Sequence, residues 1–142
     1  MLIVNISQGW FKDESPEQMK EKKDPLWLAL STIDKTDRVL ICNSAGNQGL
    51  NISLPSPNPD NMTVGDKRYK EGQYHYPSRY SDINNMIVVA NAQNDRTYSI
   101  HHTSSYSTSH VHIAAPGTDI YSTLSTTHET IIHETTIVDP TT

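Results

Sequence analysis

Short runs of consecutive apolar residues punctuate an otherwise polar chain. Leu-Ile-Val-Asn-Ile occupies 2–6, Arg-Val-Leu-Ile-Cys occupies 38–42 and Met-Ile-Val-Val-Ala occupies 86–90. Their apolar positions are continuous rather than alternating, the pattern of strands covered on both faces. Turn formers close the first two runs, Ser7-Gln8-Gly9 and the stretch Asn43 to Gly49. Between those runs the period changes. Ser15-Pro16-Glu17-Gln18 has the order of a helix N-cap, with the proline at the first helical position, where its missing N–H costs nothing. Pro25 then breaks or restarts the helix. Over 26–35, Leu26, Leu30 and Ile33 share one face with Trp27 alongside, as an amphipathic helix requires. Strands separated by a helix predict an α/β domain built on a parallel sheet.

The remaining segments are less regular. Residues 50–83 carry Pro55, Pro57 and Pro59 and no apolar period, which marks a functional loop or an insertion. Residues 96–113 alternate Tyr, Ile, His and Val with Ser and Thr, the pattern of half-exposed, hairpin-rich strands, and 110–117 ends in a turn. Ile120 to Leu124 suggests one more short strand. Residues 125–142 repeat His-Glu-Thr at 128–130 and 133–135 and read as a loose strand or a Thr-rich disordered tail. The predicted organisation is a domain over 1–124 and a tail over 125–142.

Composition narrows the function. The chain has 142 residues, enough for one domain, with 11 Lys plus Arg against 16 Asp plus Glu and a formal charge of -5. Phosphate neutralisation needs clustered cations, so no nucleic-acid partner is expected. Hydrophobic residues make up 35%, below the roughly 45–50% usual in globular domains, and Ser, Thr and Asn make up the difference. No stretch approaches the roughly 18 apolar residues that span a bilayer, so no membrane partner is expected either. The N-terminus lacks the basic leader of a signal peptide, and the sequons at Asn5, Asn51 and Asn61 read as chance. Cys42 excludes a disulfide framework and reads as an inert core thiol.

Seven histidines raise the question of a metal. His110 and His112 would share one face of a strand, with His101, His102 or His75 as a third ligand. His128 and His133 are five apart and miss the i, i+4 helical pair of zinc hydrolases. The reading is no metal and no cofactor. A Ser-His-Asp set drawn from 104–109, His101 or His110, and Asp95 lacks the strained turn that exposes a nucleophile.

Several motifs resemble one family. VNISQG at 4–9, VLICNSAGNQG at 39–49, YPSRY at 76–80, MIVVANAQNDRTYSIHHTSSYS at 86–107 and HIAAPGTDIYSTL at 112–124 resemble the subtilisin-like serine proteases, in that family's order. The resemblance covers residues 2–124 and implies part of the subtilisin-like α/β fold. It places the oxyanion-hole asparagine at Asn47, whose side-chain amide would donate at roughly 2.7–3.1 Å to the charge that develops on the scissile carbonyl. It assigns Ser7-Gln8-Gly9 and Ser44-Ala45-Gly46 to the main-chain pairing of an extended peptide or protein substrate. His75, Tyr76, Pro77 and Ser78 would line the base of the primary specificity pocket, with Tyr76–Pro77 a candidate cis bond.

The departures from the pattern are as informative. Enzymes of this family need a Ser nucleophile, a His base and an Asp that orients it. The Asp and His motifs precede the first matched strand, which here starts at Leu2. The nucleophile belongs in Gly-Thr-Ser-Met-Ala after the APG region, where this chain reads Ser125-Thr126-Thr127-His128. The expectation is an inactive subtilase fragment or relic; the alternative is a non-catalytic module that binds an extended peptide or a partner chain. A first strand without its neighbours further predicts marginal stability, self-association or pairing with a second chain.

Overall fold

The structure is a computed structural model that describes residues 1–53, 55, 72–80 and 82–121. In chain order its elements are β1 (Leu2–Ile6), β2 (Trp10–Lys12), α1 (Pro16–Glu21), α2 (Pro25–Asp34), β3 (Val39–Ser44), β4 (Tyr74–Tyr76), β5 (Met86–Ala92) and β6 (Ile113–Pro116). Four of the strands form a parallel sheet in the order β1-β3-β5-β6, and β2 pairs antiparallel with β4. The three apolar runs are thus three adjacent strands of one parallel sheet, as their continuous patterning predicts.

The two prolines act as the sequence predicts. Ser15 caps α1 through a capping box: Gln18 N–H donates to Ser15 Oγ at 3.4 Å, and Ser15 N–H donates to Gln18 Oε1 at 2.8 Å. Pro25 is the first residue of α2, behind an Asp24 cap whose Oδ1 accepts from the Leu26 and Trp27 N–H groups at 3.0 and 3.3 Å. The same carboxylate holds Lys12 Nζ at 2.7 Å, fastening α2 to β2. Burial pushes the Asp24 pKa up, but the Lys12 hydrogen bond and charge and the cap N–H groups outweigh it and hold it below the usual value. At its other end α2 is tied to the sheet by Asp34, whose Oδ1 accepts from Asn85 N–H at 2.9 Å.

The core lies on one face of the sheet. Ile41, Met86, Val88 and Ala90 pack there with Met19 of α1, Leu30 of α2, Tyr76, Tyr80 and Ile83, and Leu26, Trp27 and Ile33 close its edge. The opposite-facing residues Cys42, Ile87 and Val89 are only half-buried, so among the described residues one face is covered rather than two. Cys42 is correspondingly a half-buried side chain rather than a core one. The run at 2–6 departs most from its expected burial: Leu2 and Ile3 are 61% and 60% exposed. Among the described residues β1 is an edge strand paired to β3 alone; its successive side chains point to opposite faces, and only Val4 and Ile6, on one of them, pack against the core.

Two further readings need revision. The stretch 50–83 contains β4 and the buried turn that follows it; positions 54, 56–71 and 81 lie outside the described residues. The alternation over 96–112 builds no regular strand. Its main chain instead clasps the segment after β3: Ser105 N–H donates to Gly46 O, Gly49 N–H to Thr103 O, Tyr106 N–H to Leu50 O and Ile52 N–H to Tyr106 O, all at 2.8–2.9 Å. Ile120 and Tyr121 are exposed and outside any strand, and 122–142 lie outside the described residues.

Candidate functional site

In a parallel sheet every strand leaves at the same edge, so the segments after the strands converge there. The register Ile6 beside Asn43 brings Ser7 next to Ser44, and Ala92 beside Pro116 brings Gly117 to the same edge. A cavity of about 450 Å³ opens at this carboxyl edge, lined by Asn5, Ser7, Cys42, Asn43, Ser44, Ala45, Gly46, Asn47, Asn91, Ser104 and Gly117 among others. A second, of about 410 Å³, runs on from it between Ser7-Gln8-Gly9-Trp10 and Ser44, Gly46, Asn47 and Gln48, with His75 on its wall. Ser7, Ser44, Gly46 and Asn47 border both, so the two cavities adjoin along these residues.

Asn47 sits exposed where the two halves meet. Its position is set from the backbone. Gly46 has φ of +105°, a conformation closed to most L residues, and turns the chain sharply off the end of β3. The clasp from 103–106 then fixes the loop on either side of it. The segment Ser7–Gly9 lies between β1 and β2, outside both sheets, with all three residues exposed along the cleft. Its main chain and that of Ser44–Gly46 are therefore two neighbouring rails. Ala45 adds no side chain to the second rail: it is buried, and its N–H donates to Val89 O at 2.9 Å.

Between the rails lies His75. It is 4% exposed, with its ring edge-on to Phe11 at 5.2 Å and Nδ1 2.7 Å from Ser78 Oγ. Burial alone pushes its pKa down to about 4, so the ring is neutral at pH 7. Tyr76, Pro77 and Ser78 lie one layer deeper. They support the floor rather than form it: the Tyr76 ring is in the core with its hydroxyl donating to Glu14 O at 2.8 Å, and Ser78 is buried behind the His75 ring. The Tyr76–Pro77 bond is cis.

Of the residues assigned from sequence, Ser7, Gln8, Gly9, Ser44, Gly46, Asn47 and His75 therefore gather around one groove. Sequence reasoning missed Asn43 and Asn91, which line the adjoining cavity. Asn43 is 1% exposed, and the Oδ1 atoms of both are buried without a partner among the described residues. The signal was present: a polar residue directly after an apolar run marks the strand end where such folds bind ligands. Gln48 and Trp10 were missed as neighbours of assigned positions.

The other candidate chemistry disperses. Ser104 Oγ accepts from Asn91 N–H at 2.8 Å and lies 3.1 Å from Ser105 O, to which it donates. His101 Nδ1 contacts Thr103 Oγ1 at 2.9 Å, and the Asp95 carboxylate closes a local turn onto Thr97. No Ser-His-Asp set forms from them. His112 Nδ1 accepts from Val88 N–H at 2.9 Å, an engagement that removes it from ligand duty. Among the described residues no three His, Cys, Asp or Glu side chains gather to hold an ion, and no helix is long and apolar enough to cross a membrane.

Comparison with known proteins identifies the family and the fold. The profile described as the Subtilase family matches residues 1–138, and the chain belongs to that family. The crystal structure of a lanthipeptide protease superposes with a TM-score of 0.52 at 24% identity, over 81% of this chain and 28% of that one, and so shares its fold. The chain thus spans less than a third of that structure's length. No curated protein matches it.

Proposed function

With the chain a subtilase, we propose that it forms the substrate cleft of a serine endopeptidase of that family and holds an extended peptide between its two rails. The observation that carries this is the pair of adjoining cavities bordered by Ser7–Gly9, Ser44–Gly46 and Asn47 at the carboxyl edge of a parallel sheet. Main-chain groups of the rails pair with the peptide as a strand pairs at a sheet edge, largely independent of its sequence. Asn47 stands where the two cavities join, exposed, with a side-chain amide able to donate to a carbonyl oxygen that gains charge. A donor of that kind lowers an acyl-transfer barrier by about 2.7–4 kcal/mol, but only where a nucleophile attacks.

The 142 residues contain no Gly-Thr-Ser, the sequence in which the family carries its nucleophile. Ser78, the one serine that the described residues place on an imidazole nitrogen within the cleft wall, is buried and cannot reach a substrate carbonyl. This favours a chain that binds peptide without cleaving it: a non-catalytic module, or the binding half of a protease whose triad another segment supplies. Intact-mass spectrometry after fluorophosphonate treatment of folded protein tests it. An unmodified mass is the expected result. A stoichiometric adduct would reveal an activated serine and overturn the non-catalytic reading.

A further inference from the structure

One imidazole edge occupies the space between two glycines. A Cβ at Gly9 would stand 2.4 Å from His75 Nε2 and 2.6 Å from Cε1; one at Gly46 would stand 3.1 and 3.3 Å from the same atoms. The Nε2–Cε1 edge is therefore wedged between the rails, and both rails are glycine where it passes. The ring cannot retreat, because Phe11 packs on it and Ser78 holds Nδ1.

The hydrogen bonds behind the ring set its tautomer. Ser78 Oγ lies 2.7 Å from His75 Nδ1 and 3.3 Å from His75 O. A hydroxyl has one hydrogen, so the arrangement that uses both contacts is the one in which it donates to the carbonyl, which also accepts from Arg79 N–H at 3.1 Å, and accepts from Nδ1–H. In that arrangement the hydrogen is on Nδ1, and Nε2 keeps a bare lone pair. Among the described residues Nε2 has no hydrogen-bond partner, and His75 lines the groove. Burial keeps the ring neutral down to about pH 4, so one ring nitrogen is an acceptor at neutral pH, and with the hydrogen on Nδ1 it is Nε2.

We infer that His75 selects the side chain the cleft accepts beside Gly9 and Gly46: a short one carrying a hydroxyl, serine or threonine. This rests on the peptide-binding reading of the cleft. A large aromatic or aliphatic side chain meets the ring where a pocket would otherwise open. A carboxylate brings lone pairs against a lone pair. An alanine fits but leaves Nε2 without the donor it has in water, the kind of unpaired group on which polar specificity rests.

The test uses four labelled peptides identical except for one residue, Ser, Ala, Asp or Phe. Their binding is measured by fluorescence anisotropy to the wild-type chain, His75→Phe and His75→Gly, each checked for a folded circular dichroism spectrum. Wild type should prefer Ser over Ala by about tenfold and bind the Asp and Phe peptides more weakly than either. His75→Phe keeps the bulk without the acceptor and should lose the Ser-over-Ala preference while still excluding Phe. His75→Gly should admit Phe. Preferences that do not change in either variant, or wild type binding Phe as well as Ser, would overturn the inference while leaving the peptide-binding reading intact. Failure of every folded form to bind any of the four would overturn both. Nitrogen-15 spectroscopy of wild type needs no variant: Nε2 should resonate as an unprotonated nitrogen, and a protonated Nε2 at pH 7 would sink the proposed selection.

Discussion

His75 stores a pH dependence that belongs to a single side chain. Its pKa is depressed from 6.5 to about 4 in the folded state by burial. Between those values the unfolded chain binds a proton that the native chain does not, so stability is full above pH 6.5 and declines as pH falls toward 4. That depression corresponds to about 3 kcal/mol. Chemical denaturation at pH 7 and pH 4 checks this against His75→Phe, which carries the same carboxylates and no imidazole at that position. Wild type should lose about 3 kcal/mol more than the variant over that interval. Equal losses would show that the ring does not resist protonation in the fold. Sequence alone exposed His75 as a site candidate through its place beside Tyr76-Pro77, but not its burial, which depends on Phe11 arriving from β2 and on two glycines standing aside.

At the scale of elements, the caps carry most of what local sequence decides. Asp24 serves two roles with one carboxylate, accepting the first N–H groups of α2 and pairing with Lys12 on β2. Asp24→Ala should therefore destabilise the fold by about 1–2 kcal/mol in urea denaturation, at the upper end for a cap because a half-buried ammonium also loses its partner. A change below a few tenths of a kcal/mol would mean that neither contact persists in solution. The helices and β1, β3 and β5 were legible because caps and apolar period are local signals. β4 was not, because Tyr74–Tyr76 has three residues and gains its pairing only from Trp10–Lys12, some sixty positions away. Residues 96–112 were misread for a related reason. Their Ser, Thr and Tyr alternation resembles a half-exposed strand, but their main chain bonds the loop after β3 and, at Ser99 and His101, the end of β5, without a continuous strand of their own.

For the whole molecule the exposed ends of the sheet matter most. Leu2 and Ile3 on β1, at one edge, and Ile113 on β6, at the other, are more than half exposed. Unpaired strand edges that carry large apolar side chains template pairing with another chain. The chain should elute above its monomer size at high concentration in size-exclusion chromatography, and Ile3→Lys should return it toward the monomer. A wild type that stays monomeric at all concentrations would show that the edge is covered in solution. The fold class was readable from three apolar runs, yet their exposure was not, because burial of an edge strand depends on which elements stack beside it.

The cleft between the rails is the central claim, and a peptide titration followed by amide nitrogen-15 spectra tests it most directly. A saturable set of shifts at Ser7 to Trp10, Ser44 to Gln48 and His75, with the peptide recovered intact, is the predicted result. Saturating peptide that leaves these amides unmoved on a folded chain, or that shifts residues elsewhere, would contradict the account.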